Sequence, residues 1–255
     1  METDLVIIPT YNEKENVAQV IHAVMALSTP FHVLIIEDNS PDGTADIVKE
    51  LMKQYPDQLF IEERKGKLGL GTAYIHGFKW GLNRNYERIY EMDADFSHNP
   101  KDLERLRQAC LNENADLAIG SRYIKGVNVV NWPMGRVLMS YYASAYVRLI
   151  TGMKVRDTTA GFKCYSRKVL QAIDLKQIKF TGYAFQIEMK FTAWKLGFNI
   201  VEVPIIFTDR TLGESKMNKK IFREAIFGVI NLRVRSIKGV YRKMKKQAPY
   251  NASDK

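Results

Sequence analysis

The chain has 255 residues, 46% of them hydrophobic, and a formal net charge of +10. This length and apolar content suit one large α/β domain, or a domain with an extension, and the lack of internal repeats or low-complexity segments excludes repeat proteins and disordered chains. The two cysteines, Cys110 and Cys164, lack metal-ligand spacing, so we expect reduced, buried thiols of a cytosolic protein rather than a disulfide or zinc site.

Apolar strand patterns alternate with helical patterns through the first half of the chain. The predicted strands cover residues 4–10, 31–38, 58–63, 88–93 and 115–121. The predicted helices cover about residues 14–27, a segment within 39–55, a segment ending at 81, and about residues 100–111. Strands that alternate with helices pair in parallel through right-handed crossovers, so the pattern predicts a doubly wound α/β sheet.

The alternation ends near Arg122. Residues 134–152 and 184–197 have the apolar and aromatic pattern of helices, and residues 200–207 form a late predicted strand. Residues 221–246 follow as a long basic helix or a pair of helices. The second half therefore departs from the strand–helix rhythm of the first.

Four of the predicted strands end in polar or acidic residues. The segments that follow them are PTYNE at residues 9–13, EDNS at 37–40, DAD at 93–95 and GSR at 120–122. In a doubly wound sheet, ligands bind beyond the carboxyl ends of the strands. We therefore expect these segments to form one site at one edge of the sheet.

Three acids, Glu91, Asp93 and Asp95, alternate along the end of the fourth predicted strand and would share one face of it. Either this face is solvated or a cation compensates the repulsion. Asp93 and Asp95 have the spacing at which two carboxylates can approach one Mg²⁺ or Mn²⁺, which accepts such ligands together with water and substrate phosphates. Asp38 either belongs to a turn or accepts hydrogen bonds from a ligand.

Several cations lie close to these predicted strand ends. The loop RKGKLGLGTAYIHG at residues 64–77 matches neither a dinucleotide fingerprint nor a phosphate loop, so it either attracts an anion or packs a helix closely. Arg122 could pair with a carboxylate or a phosphate. Arg210 and Lys216, in a loop after the late strand, suit a lid over a diphosphate, although an exposed basic loop is an equal alternative.

The charge is concentrated near the end of the chain. Between Ser215 and Gln247 there are eleven Lys or Arg and one acid, Glu224. This segment is either a helix packed on the core with a solvated cationic side, or an interfacial helix on anionic lipid. The charge alone also allows nucleic acid, but no recognised binding module accompanies it, and we expect the membrane surface rather than nucleic acid.

The sequence predicts no membrane crossing by the chain itself. Its start, METDLVIIPTYN, has acids before the first apolar run, unlike a signal peptide. The longest stretch without Lys, Arg, Asp or Glu, residues 16–36, is interrupted by other polar residues and proline. The four histidines form no Ser-His-Asp or Cys-His pattern, which argues against hydrolysis by a nucleophile and a base.

Taken together, the motifs strongly resemble those of the dolichol- or polyprenol-phosphate mannosyltransferases, which are inverting family-2 glycosyltransferases of GT-A fold. The resemblance runs from about residue 4 to 217 and rests on IIPTYNEKENV, IIEDNSPDGTADI, GLGTAYIHG, EMDADFSHNP, GSRYIKG, DTTAGFKCYSRKVL, TGYAFQIEM and RTLGESKM. It implies a Rossmann-like, mixed and mainly parallel sheet flanked by helices. The implied division is a glycosyltransferase domain at residues 1–217, a basic amphipathic membrane-interface helix region at 218–247 and a disordered tail at 248–255.

The resemblance also implies roles for individual residues. GDP-mannose would contact Pro9, Tyr11, Glu13, Ile36, Asp38, Asp93, Ala94, Asp95, Arg122, Arg136, Arg210 and Lys216. A divalent cation, Mg²⁺ or Mn²⁺, would bind Asp93, Asp95 and Ser97, the last a weaker contact through water. Asp93, Asp95 and Arg122 would be catalytic, whereas Asp157 and Lys163 would orient the acceptor.

The implied reaction transfers mannose from GDP-mannose to a polyprenyl or dolichyl monophosphate with inversion, giving a β-linked product. The acceptor phosphate is already an anionic nucleophile, so no strong general base is required. The enzyme would be cytoplasmic and peripheral on the cytoplasmic face of a membrane. The alternatives are a UDP-glucose-dependent polyprenyl-phosphate glucosyltransferase, a non-catalytic membrane-associated sugar-nucleotide-binding subunit and, more distantly, a nucleic-acid-binding protein.

Overall fold

A seven-stranded sheet forms the centre of the computed structural model, which describes residues 4–182, 184–209 and 219–247. The strands are β1 (Asp4–Thr10), β2 (Phe31–Glu37), β3 (Leu59–Glu63), β4 (Arg88–Glu91), β5 (Leu117–Ser121), β6 (Val129–Val130), β7 (Lys163–Ser166), β8 (Ile200–Pro204) and β9 (Phe207–Thr208). The large sheet has the order β3-β2-β1-β4-β7-β5-β8, and its neighbours are parallel except where β7 pairs with β4 and β5. Strands β6 and β9 form a small second sheet. The predicted mixed, mainly parallel sheet is confirmed.

Helices cover both faces of this sheet. They are α1 (Val17–Met25), α2 (Thr44–Met52), α3 (Leu70–Asn83), α4 (Asp102–Asn112), α5 (Met134–Thr151), α6 (Arg167–Ala172), α7 (Ala184–Leu196), α8 (Lys219–Ile237) and α9 (Val240–Gln247), with one 3-10 turn at Leu175–Gln177. Side chains alternate along β1 and point to the two faces of the sheet. Leu5 and Ile7 belong to the first apolar layer, on one face, and Val6 and Ile8 belong to the second apolar layer, on the other. Helices α1, α2 and α4 pack on the second layer, and α3 and α5–α9 pack on the first.

The structure differs from the sequence prediction at β7, which was not predicted as a strand. It enters the sheet antiparallel between β4 and β5, and Lys163 stands opposite Glu91. A four-residue segment with a lysine does not show the apolar pattern of a central strand. Lys163 is tolerated there because its ammonium lies 3.0 Å from the Glu91 carboxylate, and both side chains are fully buried.

Element boundaries also shift. The first helix begins at Val17, about three residues later than predicted, and it is preceded by a turn in which the Glu13 carbonyl accepts the backbone N–H groups of Asn16 and Val17. Strand β4 ends at Glu91 rather than at residue 93, which leaves the two following aspartates in a loop. The late strand predicted at residues 200–207 is divided between β8 and β9.

Helix α3 approaches β1 closely at Gly77. A Cβ atom added there would lie 2.8 Å from both Cδ1 and Cγ2 of Ile7. We expect Gly77→Ala to lower the free energy of unfolding by about 1–3 kcal/mol through overpacking. Gly135→Ala on α5 is the matched control, because an added Cβ there meets nothing within 4 Å and should stabilise by about 0.5–1 kcal/mol. Urea unfolding measures both, and an unchanged Gly77→Ala variant would contradict this packing.

The basic helices near the end of the chain pack against the domain. Gly239, with a φ of +75°, separates α8 from α9. Val229, Leu232, Tyr241 and Met244 are buried in the first apolar layer. Arg235 is also buried, where it pairs with Glu188 and donates to the Gln177 carbonyl, so this cation belongs to the packed side of the helix.

The opposite side of α8 presents apolar side chains to solvent. Phe227 is 65% exposed and Ile237 is 71% exposed, and Ile230 and Val234 lie between them on this side. Among the described residues, no helix combines the length and the apolar character that a membrane span requires. The predicted disordered tail at residues 248–255 lies outside the described residues.

Candidate active site at the carboxyl edge of the sheet

A cleft of about 430 Å³ opens beyond the ends of β4 and β5. The loop after β4 contributes Asp93, Asp95 and Ser97, and Arg122 follows β5. Arg136, in the first turn of α5, lines the same cleft. The structure thus brings together five of the predicted site residues, four from the carboxyl ends of two parallel strands, as expected for this type of sheet, and one from α5.

The loop after β4 has a defined backbone geometry. Phe96 has a φ of +57°, a left-handed conformation that is strained for a bulky residue and clusters at functional sites. The Asp95 carboxylate accepts the Ser97 backbone N–H at 3.0 Å. The Tyr74 hydroxyl lies 3.4 Å from Oδ1 of Asp93, and Ala94 between the two aspartates is buried. These contacts hold the two carboxylates in fixed positions along the cleft.

The side chains of this loop suit a hard divalent cation that also binds a phosphorylated ligand. Asp93, Asp95 and Ser97 supply oxygen atoms only, which is the donor type that Mg²⁺ and Mn²⁺ prefer. No three His, Cys, Asp or Glu side chains converge into a metal site within the described ranges. The donor set therefore fits a cation whose remaining ligands are phosphate oxygens and water.

Arg122 is held in place by Asp157. Its Nε and Nη2 donate to the two carboxylate oxygens at 2.7 Å each, and its backbone N–H donates to the same carboxylate at 2.9 Å. Burial raises the pKa of Asp157, but Arg122 outweighs this and holds that pKa below its usual value. Asp157 was predicted to orient the acceptor. Because it is fully buried, it could do so only indirectly, by holding Arg122 in place.

The second guanidinium of the cleft belongs to Arg136. Its Nη1 donates to both carboxylate oxygens of Asp209, at 2.9 and 2.8 Å, and the group lies 4.2 Å from the ring centre of Trp132. Trp132 packs edge-on against Phe207 of β9. The small second sheet therefore helps to position Arg136, and it also contacts the loop after β4, since the Thr208 backbone N–H donates to the Ser97 carbonyl at 3.2 Å.

His98 lies in the loop after β4, close to Asp93 and Asp95, and it is buried. Its ring stacks on Phe162 at 4.9 Å, and its Nδ1 lies 4.0 Å from Asp93. Burial lowers the pKa of His98 to about 4, more than the attraction of Asp95 raises it. The imidazole is therefore neutral at neutral pH and carries no positive charge for an anionic ligand.

The residues predicted to contact the nucleoside lie at the carboxyl ends of β1 and β2 and in the loops that follow these strands. Pro9 pairs with Ile36 in the register of these strands. Asp38 is mostly buried and forms two bonds to Arg64, at 2.6 and 2.7 Å, which the sequence did not predict. Ile36 is fully buried, so its side chain offers no surface to a ligand, and a contact there would involve the backbone.

Tyr11 and Glu13 lie on the loop after β1. Lys67, from the glycine-rich loop, lies over the Tyr11 ring at 4.6 Å, and Glu13 accepts the Asn16 amide at 3.1 Å. The structure therefore places both residues at the predicted edge of the sheet. The nucleoside contacts themselves stay predictions.

Lys163 lies beneath the cleft rather than in it. The side chain is fully buried between Glu91 and Gln186. Its ammonium pairs with the Glu91 carboxylate and donates a hydrogen bond to the Gln186 amide oxygen. Burial lowers the pKa of Lys163, and the neighbouring Glu91 opposes this shift. The sequence predicted that Lys163 contacts the acceptor. This geometry does not support a direct contact, because the ammonium has no exposed surface.

The glycine-rich loop before α3 is used for packing. The Gly71 backbone N–H, at the start of the helix, donates to the Thr181 carbonyl at 2.8 Å. A Cβ atom added at Gly71 would lie 2.8 Å from the Phe180 carbonyl oxygen and from the Phe185 ring. Of the two interpretations of this loop, close helix packing is the one that the structure supports.

The far half of the cleft is apolar and lies between α5 and α8. Its lining includes Met139, Tyr142, Tyr146, Val147, Ile226 and Val229. The Tyr146 hydroxyl donates to the Ile226 carbonyl at 3.1 Å and joins the two helices. The cleft therefore has a charged end at the sheet and an apolar end between two helices. Arg210 and Lys216, predicted to cover a diphosphate, lie outside the described residues.

Comparisons with known proteins agree with this geometry. A sequence model described as Glycosyl transferase family 2 matches residues 5–174. The chain is 47% identical to the polyprenol monophosphomannose synthase of Mycolicibacterium smegmatis over 231 residues, 91% of this chain and 87% of the relative. It is 45% identical to the undecaprenyl-phosphate mannosyltransferase of Micrococcus luteus over 225 residues, 88% of this chain and 91% of the relative.

A solved structure shares the fold. Glucosyl-3-phosphoglycerate synthase from Mycobacterium tuberculosis, in complex with Mn²⁺, UDP and glucosyl-3-phosphoglycerate, matches with a TM-score of 0.67 at 18% sequence identity. The match covers 91% of this chain and 80% of that chain. At this level of identity the similarity concerns the fold alone.

Proposed function

Because this chain belongs to glycosyl transferase family 2, we propose that it transfers mannose from GDP-mannose to a polyprenyl or dolichyl monophosphate, with inversion to a β-linked product. Membership makes the chain a glycosyltransferase, and its predicted GT-A fold is confirmed. The names of the two relatives specify mannose and a polyprenyl phosphate, which supports this sugar and this class of acceptor. GDP is our proposal for the nucleotide.

The cleft itself is the observation that carries the proposal. Its charged end holds two carboxylates and two guanidinium groups, and its other end is apolar and continues between α5 and α8. A polyprenyl phosphate has the same polarity, with an anionic head on an apolar chain. Its phosphate would lie against Arg122 and Arg136, which the family resemblance assigned to GDP-mannose, and the first isoprene units would follow the apolar half.

The divalent cation of the proposed reaction would be held by Asp93 and Asp95, with Ser97 contributing through water. Such a cation supplies charge that stabilises the departing nucleoside diphosphate. The chain's own part is to fix these carboxylates through the contacts of Ser97 and Tyr74 described above. The solved structure with the same fold contains Mn²⁺ and UDP, which supports a divalent cation in this proposal. We propose either Mg²⁺ or Mn²⁺ for this site.

Catalysis in this proposal depends on positioning. Arg122 keeps a fixed orientation through Asp157 and Thr159, and it would align the acceptor phosphate for in-line attack on the anomeric carbon. No strong base is needed, because the attacking phosphate is already ionised. His98 agrees with this, since its lowered pKa keeps the buried ring neutral in the working range of pH.

The test of the function is a transfer assay with radioactive donors. Purified protein, Mg²⁺ or Mn²⁺ and a short polyprenyl phosphate are incubated with GDP-mannose or with UDP-glucose, and the lipid product is extracted and counted. We expect product from GDP-mannose only. Product from UDP-glucose alone would replace the donor in the proposal. If neither donor reacts although GDP binds tightly, the chain is a binding subunit and the proposal fails.

We further propose that the protein is peripheral on the cytoplasmic face of an anionic membrane, because a lipid acceptor must reach the cleft. Exposed apolar side chains flank the cleft on α5 and α8, among them Tyr142, Leu149, Phe227 and Ile237. Arg233 and Lys238 are exposed on α8 and near its end. Apolar side chains with adjacent cations suit insertion at the level of lipid headgroups.

The double variant Phe227→Ser and Ile237→Ser should lose at least half of its sedimentation with anionic liposomes. Burial of such side chains in the interface contributes roughly 1.5–3 kcal/mol each. Leu111→Ser is the matched control, because Leu111 is also exposed but lies on α4, on the opposite face of the sheet. Equal sedimentation of the double variant and the control would contradict this membrane surface.

A further inference from the structure

Gln186 is a buried amide at the cleft to which the sequence assigned no role. It lies on α7, is only 2% exposed and lines the cleft. Its Oε1 accepts a hydrogen bond from the Lys163 ammonium. Its Nε2 is buried without a hydrogen-bond partner among the described residues. Buried polar groups are nearly always paired, so an unpaired amide nitrogen in a cleft indicates a ligand.

The orientation of this amide follows from Lys163. An ammonium group only donates, so the amide oxygen has to face it and the NH₂ group has to point away. Glu91 holds the ammonium from its other side at 3.0 Å. The buried Glu91–Lys163 pair therefore sets which end of the amide is presented to the cleft.

Gly161 lies next to this amide and to Asp93. A Cβ atom added to Gly161 would lie 3.6 Å from Nε2 of Gln186 and 3.8 Å from Oδ2 of Asp93, so these two polar atoms are less than 8 Å apart. The missing side chain leaves both of them uncovered by residue 161. A ligand hydroxyl both donates and accepts and can bridge the two groups in front of Gly161, whereas a phosphate oxygen there would be repelled by Asp93.

We propose that Gln186 determines specificity for the transferred sugar by donating its Nε2–H to one sugar hydroxyl, which in turn donates to Asp93. This proposal rests on the proposed function, since it concerns the sugar of the nucleotide donor. A donor that lacks the hydroxyl leaves the amide unpaired, which costs about 10- to 100-fold in kcat/KM. Gln186 would therefore select the sugar by contact with the substrate.

The experiment compares GDP-mannose with a set of GDP-deoxymannoses, each lacking one hydroxyl, in the wild type and in Gln186→Met. In the wild type, one analogue should lose about 10- to 100-fold in kcat/KM relative to GDP-mannose. In Gln186→Met that loss should shrink at least about fivefold, because only the bond from the hydroxyl to Asp93 remains. The KM for the polyprenyl phosphate should stay unchanged.

Two further variants separate a contact from a structural effect. Thr192→Val alters another buried side chain of α7, which bonds to the Glu188 carbonyl within the helix, and should keep the wild-type preference among the analogues. Gly161→Ala keeps both polar groups but places a methyl group within 4 Å of each, and should weaken binding of GDP-mannose while leaving GDP binding unchanged. Melting temperatures are measured to verify that each variant is folded.

The outcomes are distinct. The proposal is overturned if Gln186→Met discriminates among the analogues as the wild type does, or if it raises only the KM for the acceptor. If the wild type transfers no mannose, the proposed function has failed, and the inference about Gln186 is then decided by binding. In that case GDP-mannose should bind more tightly than GDP to the wild type but not to Gln186→Met, and an equal preference in both proteins would refute it.

Discussion

Asp95→Asn is expected to lower kcat for mannose transfer by about a thousandfold while the protein stays folded. The substitution removes one of the two carboxylate charges that we propose to hold the cation. The fold should survive because the amide oxygen of asparagine can still accept the Ser97 backbone N–H, as the carboxylate does at 3.0 Å. Steady-state turnover with saturating Mg²⁺ or Mn²⁺ measures the effect, and circular dichroism verifies the fold.

The matched control for this variant is Asp46→Asn, the same chemical change at an exposed position on α2. It should keep the turnover of the wild type. Near-normal turnover of Asp95→Asn under the same conditions would refute the metal assignment. A loss of turnover in both variants would point to an effect of net charge and would refute it equally.

Lys163→Met is expected to cost about 3–5 kcal/mol of stability, the largest single effect on folding that we predict. Lys163 and Glu91 are both fully buried and lie 3.0 Å apart beneath the cleft. Removing the lysine leaves a buried carboxylate without its cation, which is far more costly than the loss of packing. Denaturant unfolding at neutral pH measures the change.

The double variant Lys163→Met with Glu91→Met tests whether the cost comes from the unpaired charge. Replacing both members of a buried ion pair by apolar residues of similar volume is often neutral or stabilising. The double variant should therefore recover most of the stability that the single variant loses. If it is as unstable as the sum of both single variants, the pair is not the source of the effect.

Much of the fold was predictable because strands and helices alternate in its first half, and each has a clear hydrophobic periodicity. Those patterns also placed the polar strand ends at one edge of a sheet, and Asp93, Asp95 and Arg122 do share a cleft. The reason is geometric, since parallel strands carry their carboxyl ends to the same edge. Ser97 and Arg136 line the same cleft but were predicted from the family resemblance alone.

Contacts between distant segments were not predictable in this way. The partner of Asp38 is Arg64, which comes from the end of a different strand. Lys163 was predicted to bind the acceptor, but its partner is Glu91, because the sequence gives no sign that β7 enters between β4 and β5. The role that we propose for Gln186 was not predictable for the same reason, since Lys163 lies on β7 and Asp93 lies in the loop after β4.

The position of β7 has a consequence for folding. Strands β4 and β5 are not neighbours, and the sheet becomes continuous only when residues 163–166 return between them. Formation of the early strands therefore leaves an open edge until a late, non-local pairing closes it, and such non-local pairings slow folding. A nascent chain that stalls before this segment would expose unpaired strand edges, a well-known route to aggregation.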